Sequence, residues 1–204
     1  MATSTRFRDA LREQRWDDHR LYHRSRINQS LHLFSACCFL ASYVVLFFDP
    51  MLAVCIGWLA AFSSRQIGHF FFEPKTYDTA NAMSHRQKEA VKVGYNLNRK
   101  VILVAVFLAA PLALRLSPSL LARIAPFAQS GDLLHDVSML WLAVGVGALL
   151  FRTVQLFFIR DLKTGVVWFT KILTDPFNDV RTYWKAPYYL LRGERLDPAL
   201  STPH

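Results

Sequence analysis

The sequence predicts an all-α integral membrane protein, a four-helix bundle with loops on the cytosolic face and amphipathic interfacial helices at its C-terminal end. Three observations predict it. Apolar and basic residues are segregated into separate runs, although the chain is 52% hydrophobic and carries a formal net charge of +9. Four apolar stretches approach the length of a bilayer core. Basic residues are abundant in alternate connecting segments and nearly absent from the others.

Segregation is the informative feature. A soluble basic protein interleaves its charges with its apolar residues, whereas every basic run here has a lipid-grade run beside it. That arrangement argues against a nucleic-acid-binding function, the other common meaning of a high isoelectric point. The 204 residues suit one membrane domain, 1–204. Residues 1 to 30 are charged throughout, so no cleavable signal is expected there. Cys37, Cys38 and Cys55 all lie inside apolar runs without metal-binding spacing and read as small packing residues.

The elements follow in order. The first span runs from about 31 to 48. Asp49-Pro50 then breaks the chain as a tight helical hairpin, and the second span occupies 51–72. The third, 101–116, contains Pro111 and is the shortest; the fourth is 137–159. Arg65, Arg115 and Arg152 fall late in the last three spans, where each snorkels to an interface or faces the bundle interior. The segments 1–30, 49–50, 73–100, 117–136 and 160–204 carry seven, zero, six, one and seven Lys or Arg residues. This alternation fits four crossings with both termini in the cytoplasm. The tail 163–195 mixes Trp168, Phe169, Trp184, Tyr188 and Tyr189 with cations, a headgroup-layer composition. It reads as two interfacial helices broken at Asp175-Pro176.

On this topology five of the seven histidines collect at one membrane face: His19, His23, His32, His69 and His85. Imidazoles suit iron, zinc, copper or nickel, and nearby carboxylates complete such sites. His23, His32 and His69 are the candidate metal ligands, with His85 as the fourth. Glu73, four residues after His69, is either a ligand or an acceptor that orients a histidine N–H. Asn28 lies four residues before His32 and is placed to orient it or a substrate hydroxyl. Arg65 is a candidate for a substrate carboxylate, and His19 for a partner of His23. His23 and His32 are nine residues apart, about half a turn out of phase on one helix. They reach one centre only if the chain bends near Arg24–Asn28.

Two signatures resemble the 2-hydroxy fatty acid dioxygenase family. Tyr22-His23, four residues, Asn28, three residues and His32 stand at the start of a membrane helix. Gly68-His69, two residues and Phe72-Glu73 stand at the end of a later one. The resemblance covers about residues 22 to 75 and implies Fe(II), O2 and a lipid substrate, a 2-hydroxy fatty acid shortened by one carbon. Arg65 stands where the family usually has Gln, which is displaced here to Gln66, and Pro74-Lys75 replaces a proline-rich run. These departures imply a divergent bacterial branch, in the inner membrane. Two other readings compete: a di-iron membrane lipid hydroxylase or desaturase, and a non-enzymatic membrane scaffold.

Overall fold

The computed structural model describes residues 6–126 and 129–198. Among them the chain is all-helical: α1 (Phe7–Tyr22), α2 (Arg26–Val45), α3 (Pro50–Phe72), α4 (His85–Val91), α5 (Leu97–Leu116), α6 (Leu120–Ile124), α7 (Leu133–Ile159), α8 (Leu162–Tyr183) and α9 (Ala186–Leu191). Three of these, α3, α5 and α7, are long and apolar enough to cross a membrane. The expected first span lies in α2, a helix of 20 residues whose opening turns hold Arg26, Asn28, Gln29 and His32. Those polar turns lower the mean hydropathy of α2 relative to the three long apolar helices.

Local chemistry explains the hairpin at Asp49-Pro50. Asp49 Oδ1 accepts from the Leu52 N–H (2.9 Å), and Pro50 occupies the first turn, where a helix needs no N–H. α2 and α3 then lie antiparallel. Ser35 Oγ donates to the Ala61 carbonyl and Ser42 Oγ to the Ala53 carbonyl, each at 2.7 Å. Small side chains let the two backbones approach closely, as helix pairs in membranes do. α3 runs parallel to α7: Cys55 faces Ser138, and a Cβ on Gly145 would lie 3.1 Å from the Trp58 ring. α5 runs antiparallel to α7, with Tyr95 OH donating to the Ala148 carbonyl (2.7 Å) and Trp141 Nε1 to the Phe107 carbonyl (3.0 Å). The last turns of α3 and α7 and the first turns of α2 and α5 therefore share one end of the molecule.

Of the two internal prolines, Pro111 sits inside a span that ends at 116 as the sequence predicts, whereas Pro176 does not make the break expected of it. Pro111 does not shorten α5, which continues to Leu116. Its missing N–H would have bonded Phe107, and the indole of Trp141 supplies that carbonyl with a donor instead. Asp175-Pro176 does not break the tail either, because α8 is one helix from Leu162 to Tyr183. Both residues are buried, and the Asp175 carboxylate accepts from Arg15 Nε (3.1 Å) and Lys171 Nζ (2.9 Å). Packing on α1 and α2 outweighs the ~3 kcal/mol that an interior proline costs.

Apolar and polar interiors occupy opposite ends. Val54, Phe107, Leu114, Val137, Leu140 and Trp141 form the hydrophobic core around the start of α3, the end of α5 and the start of α7. Ile102, Leu108 and Leu112 of α5 and Leu150, Phe151 and Phe158 of α7 face outward. A bare apolar girdle of that kind suits lipid and not water. At the other end the buried residues include His19, His23, Asn28, Gln29, His32, Lys171, Asp175 and Asp179, alongside Tyr22, Trp168 and Tyr183.

Candidate metal centre

α1 ends at Tyr22 and α2 begins at Arg26, so the chain bends between His23 and His32, where the sequence required it. Ser25 caps α2, its hydroxyl accepting from the Asn28 N–H (3.5 Å). Two neighbouring amides lock the bend. Asn28 Nδ2 donates to the Tyr22 carbonyl (2.9 Å) and Gln29 Nε2 to the His23 carbonyl (2.8 Å). The C-terminal segment braces it from outside: Arg26 N–H donates to the Arg195 carbonyl and Asp197 N–H to the Arg24 carbonyl, both at 2.9 Å. Asn28 thus holds the backbone that carries His23.

α3 delivers the third imidazole. Its last turns, Gly68–Phe72, are π-helical, a widened geometry that recurs at functional sites. Gly68 packs directly on Asn28, and a Cβ there would run into Asn28 Oδ1. Only glycine lets α3 approach the bend closely enough to bring His69 in. His69 Nδ1 is bonded to a carboxylate oxygen of Glu73, one turn on. An ionised carboxylate only accepts, so this contact places the proton on Nδ1 and leaves Nε2 for coordination. Burial pushes the Glu73 carboxyl above its ordinary range, against the pull of Lys100 and Lys92.

His23, His32 and His69 converge. One ligand nitrogen from each lies within 4.8 Å of the others. The ring centroids are 4.0 Å apart for His23 and His32, 4.8 Å for His32 and His69, and 5.8 Å for His23 and His69. His85 is not in this group. It opens α4 and is half-buried.

α8 closes the site with residues that sequence reading missed. Lys171, Asp175, Asp179 and Tyr183 recur every four residues and are all buried. The Tyr183 hydroxyl bonds His23 Nδ1 (2.7 Å) and also reaches His19 Nδ1. Asp179 lies 3.6 Å from His32 Nδ1 and 3.9 Å from His19 Nε2, and it binds the Arg65 guanidinium. Arg65 is therefore committed to Asp179, with Nε donating to Ser35 Oγ (3.3 Å). His19 sits behind His23, Nδ1 to Nδ1 at 3.3 Å. Burial holds His23 well below the ordinary histidine range, helped by the neighbouring His32 and His19. His19 is also lowered by burial, which outweighs the opposing Asp179. The neutral imidazole is the form that binds a metal.

His32 bears most directly on whether a metal fits. Both of its ring nitrogens are buried, and neither has a hydrogen-bond partner among the described residues. Burying a polar group unpaired costs roughly 1–3 kcal/mol, so such groups are rare unless something binds them. Three neutral imidazoles, one with a carboxylate behind it, match the donor set of a mid-series divalent metal. Comparison with protein-family models, curated proteins and solved structures returns no match to this chain.

Proposed function

We propose that the chain is an Fe(II)-dependent membrane dioxygenase that converts a 2-hydroxy fatty acid into the fatty acid one carbon shorter. One observation carries the reading. Three imidazoles, His23 and His32 buried and His69 half-buried, with ligand atoms within 4.8 Å, meet at the polar end of a bundle whose flanks are apolar. An amphipathic substrate has the same division, with its reacting head at the membrane surface and its tail among lipid. The two signatures that resemble the dioxygenase family contribute all three histidines and Glu73.

His23, His32 and His69 would hold the iron, which when bound supplies the redox chemistry between O2 and the substrate. The conversion balances as 2-hydroxy acid plus O2 giving the shorter acid, carbon dioxide and water. Glu73 fixes the His69 tautomer and Tyr183 engages His23 on its outer nitrogen. Asn28 and Gln29 hold the bend that aims His23. α2 is the fourth crossing, both termini face the cytoplasm, and the host is a bacterial inner membrane. The basic residues in 1–30, 73–100 and 160–204 support that sidedness.

Elemental analysis of protein purified under reducing, anaerobic conditions tests the reading. About one iron per chain is expected, falling to background in His23→Ala and His69→Ala. Two irons per chain would transfer the reading to a di-iron lipid hydroxylase, and no metal at all would sink both. O2 uptake on adding a 2-hydroxy fatty acid, absent with the non-hydroxylated acid, tests the substrate.

A further inference from the structure

Arg65 is occupied by Asp179, so the cations free to meet an anion near the metal centre lie elsewhere. α1 and α8 pack side by side in the same direction: Arg15 pairs with Asp175, His19 faces Asp179 and His23 bonds Tyr183, while Arg8, Arg12 and Arg181 line one hollow between the helices. Between them opens a cleft of about 510 Å³ that includes Arg8, Arg12, Arg15, Arg181, Trp16 and His19 in its lining. No carboxylate lines it. Arg15 is committed to Asp175 and Thr174. Arg8, Arg12 and Arg181 are exposed and form no ion pair among the described residues.

We propose that this cleft binds the anionic headgroup of a membrane lipid. Three uncommitted guanidiniums around one hollow are a strong attractor for phosphate or carboxylate. The surroundings select a lipid over a soluble anion. Arg8, Arg12 and Trp16 follow at four-residue spacing on α1, while Phe177, Arg181 and Trp184 share a face of α8. Trp16, Phe177 and Trp184 are 41%, 60% and 63% exposed, an aromatic and arginine mixture that settles in the headgroup layer. The cleft reaches inward to His19, whose ring lies 5.0 Å from that of His23. A headgroup held there therefore sits one residue away from the metal-binding histidines. The inference rests on the proposed membrane placement and is independent of the metal.

Native mass spectrometry of the full chain in a non-ionic detergent tests it, with phosphatidylglycerol and phosphatidylcholine of matched acyl chains as probes. Retention of the acidic lipid is expected to be stronger by at least about 10-fold. The Arg8→Gln/Arg12→Gln/Arg181→Gln variant loses this preference, and an Arg115→Gln/Arg123→Gln control keeps it. If the triple variant does not accumulate, Arg181→Gln alone is expected to lose about 3- to 5-fold. Equal retention of the two lipids by the unmodified chain overturns the proposal, as does equal loss in the control. Saturation of the cleft by inorganic phosphate without lipid overturns it too, in favour of a soluble-anion site. Iron measured on the same samples keeps the two readings apart: lipid preference without iron defeats the oxygenase and leaves the headgroup site standing.

Discussion

Tyr183 places one hydroxyl between two imidazoles, bonding His23 at 2.7 Å and contacting His19. A hydroxyl so placed fixes the rotation of the His23 ring and decides which nitrogen is left for a metal. Tyr183→Phe keeps the buried ring and removes only that contact. Its metal affinity, read by competition with a chromophoric chelator, is expected to fall about 10- to 100-fold. Thermal unfolding of the metal-free variant should change by no more than about 1–2 kcal/mol. Unchanged affinity would leave Tyr183 a packing residue. The three imidazoles were legible because each stands at a polar-to-apolar boundary within a short signature. Tyr183 and Asp179 were not, since they lie more than a hundred residues away in a helix whose cations and aromatic rings read as interfacial. The signal present was the four-residue recurrence of Lys171, Asp175, Asp179 and Tyr183, which sets one polar stripe on a single helix face. Arg65 was misleading for a related reason: nothing within its own span announces the carboxylate that claims it.

Among the elements, the hairpin and the bend were readable from local rules, because Asp49-Pro50 is a cap with a proline behind it and the histidine spacing demanded a turn. The continuity of α8 through Pro176 was not, since it depends on partners such as Arg15 from another element. The same holds for the loop between α3 and α4, where Asp78 is fully buried and ties three elements together. Arg20 of α1 binds both its oxygens (2.6 and 2.7 Å), and Lys88 of α4 binds one (2.5 Å). Hydrogen bonding from Arg20, then from Lys88, holds the Asp78 carboxyl below the ordinary carboxylate range. Its folded pKa is thus lower than its unfolded one. The clasp contributes in full at neutral pH, and its contribution fades as pH drops below the unfolded value of about 4 toward the folded pKa. Asp78→Asn removes the charge that Arg20 and Lys88 share but leaves both bound to Asp17, and is expected to cost about 1–3 kcal/mol at neutral pH. The variant's stability should also vary less than the parent's between about pH 5 and pH 3, measured by thermal unfolding in detergent. Parallel acid profiles would remove Asp78 as the source of that dependence.

At the scale of the molecule the open quantity is the number of membrane crossings, because three helices are long and apolar enough to span and α2 is not among them. The packing decides what α2 must do if α3 crosses. Ser42 meets Ala53 near the start of α3, and Ser35 meets Ala61 further along it. Two helices joined by a tight hairpin and paired along their length are expected to enter the bilayer together, as the proposed fourth crossing requires. The helical run from Leu31 to Val45 covers about 22 Å, and the turn to Phe48 carries it further toward the ~30 Å hydrocarbon layer. The polar turn at Asn28, Gln29 and His32 then lies at the interface, beside the end of α3, where buried polar groups are tolerable. Four crossings put Asp49 and Gly131 on the outer side and Lys75 and Arg192 on the cytoplasmic side. Single cysteines at these four positions, in a chain with Cys37, Cys38 and Cys55 replaced by serine, read this directly. A membrane-impermeant thiol reagent added to intact cells should label 49 and 131 and spare 75 and 192 until the membrane is opened. Labelling of 49 and 75 from the same side would break the α2–α3 hairpin as a transmembrane unit. It would also remove the reason for placing the three histidines at a membrane face, so the topology and the metal centre stand on the same hairpin.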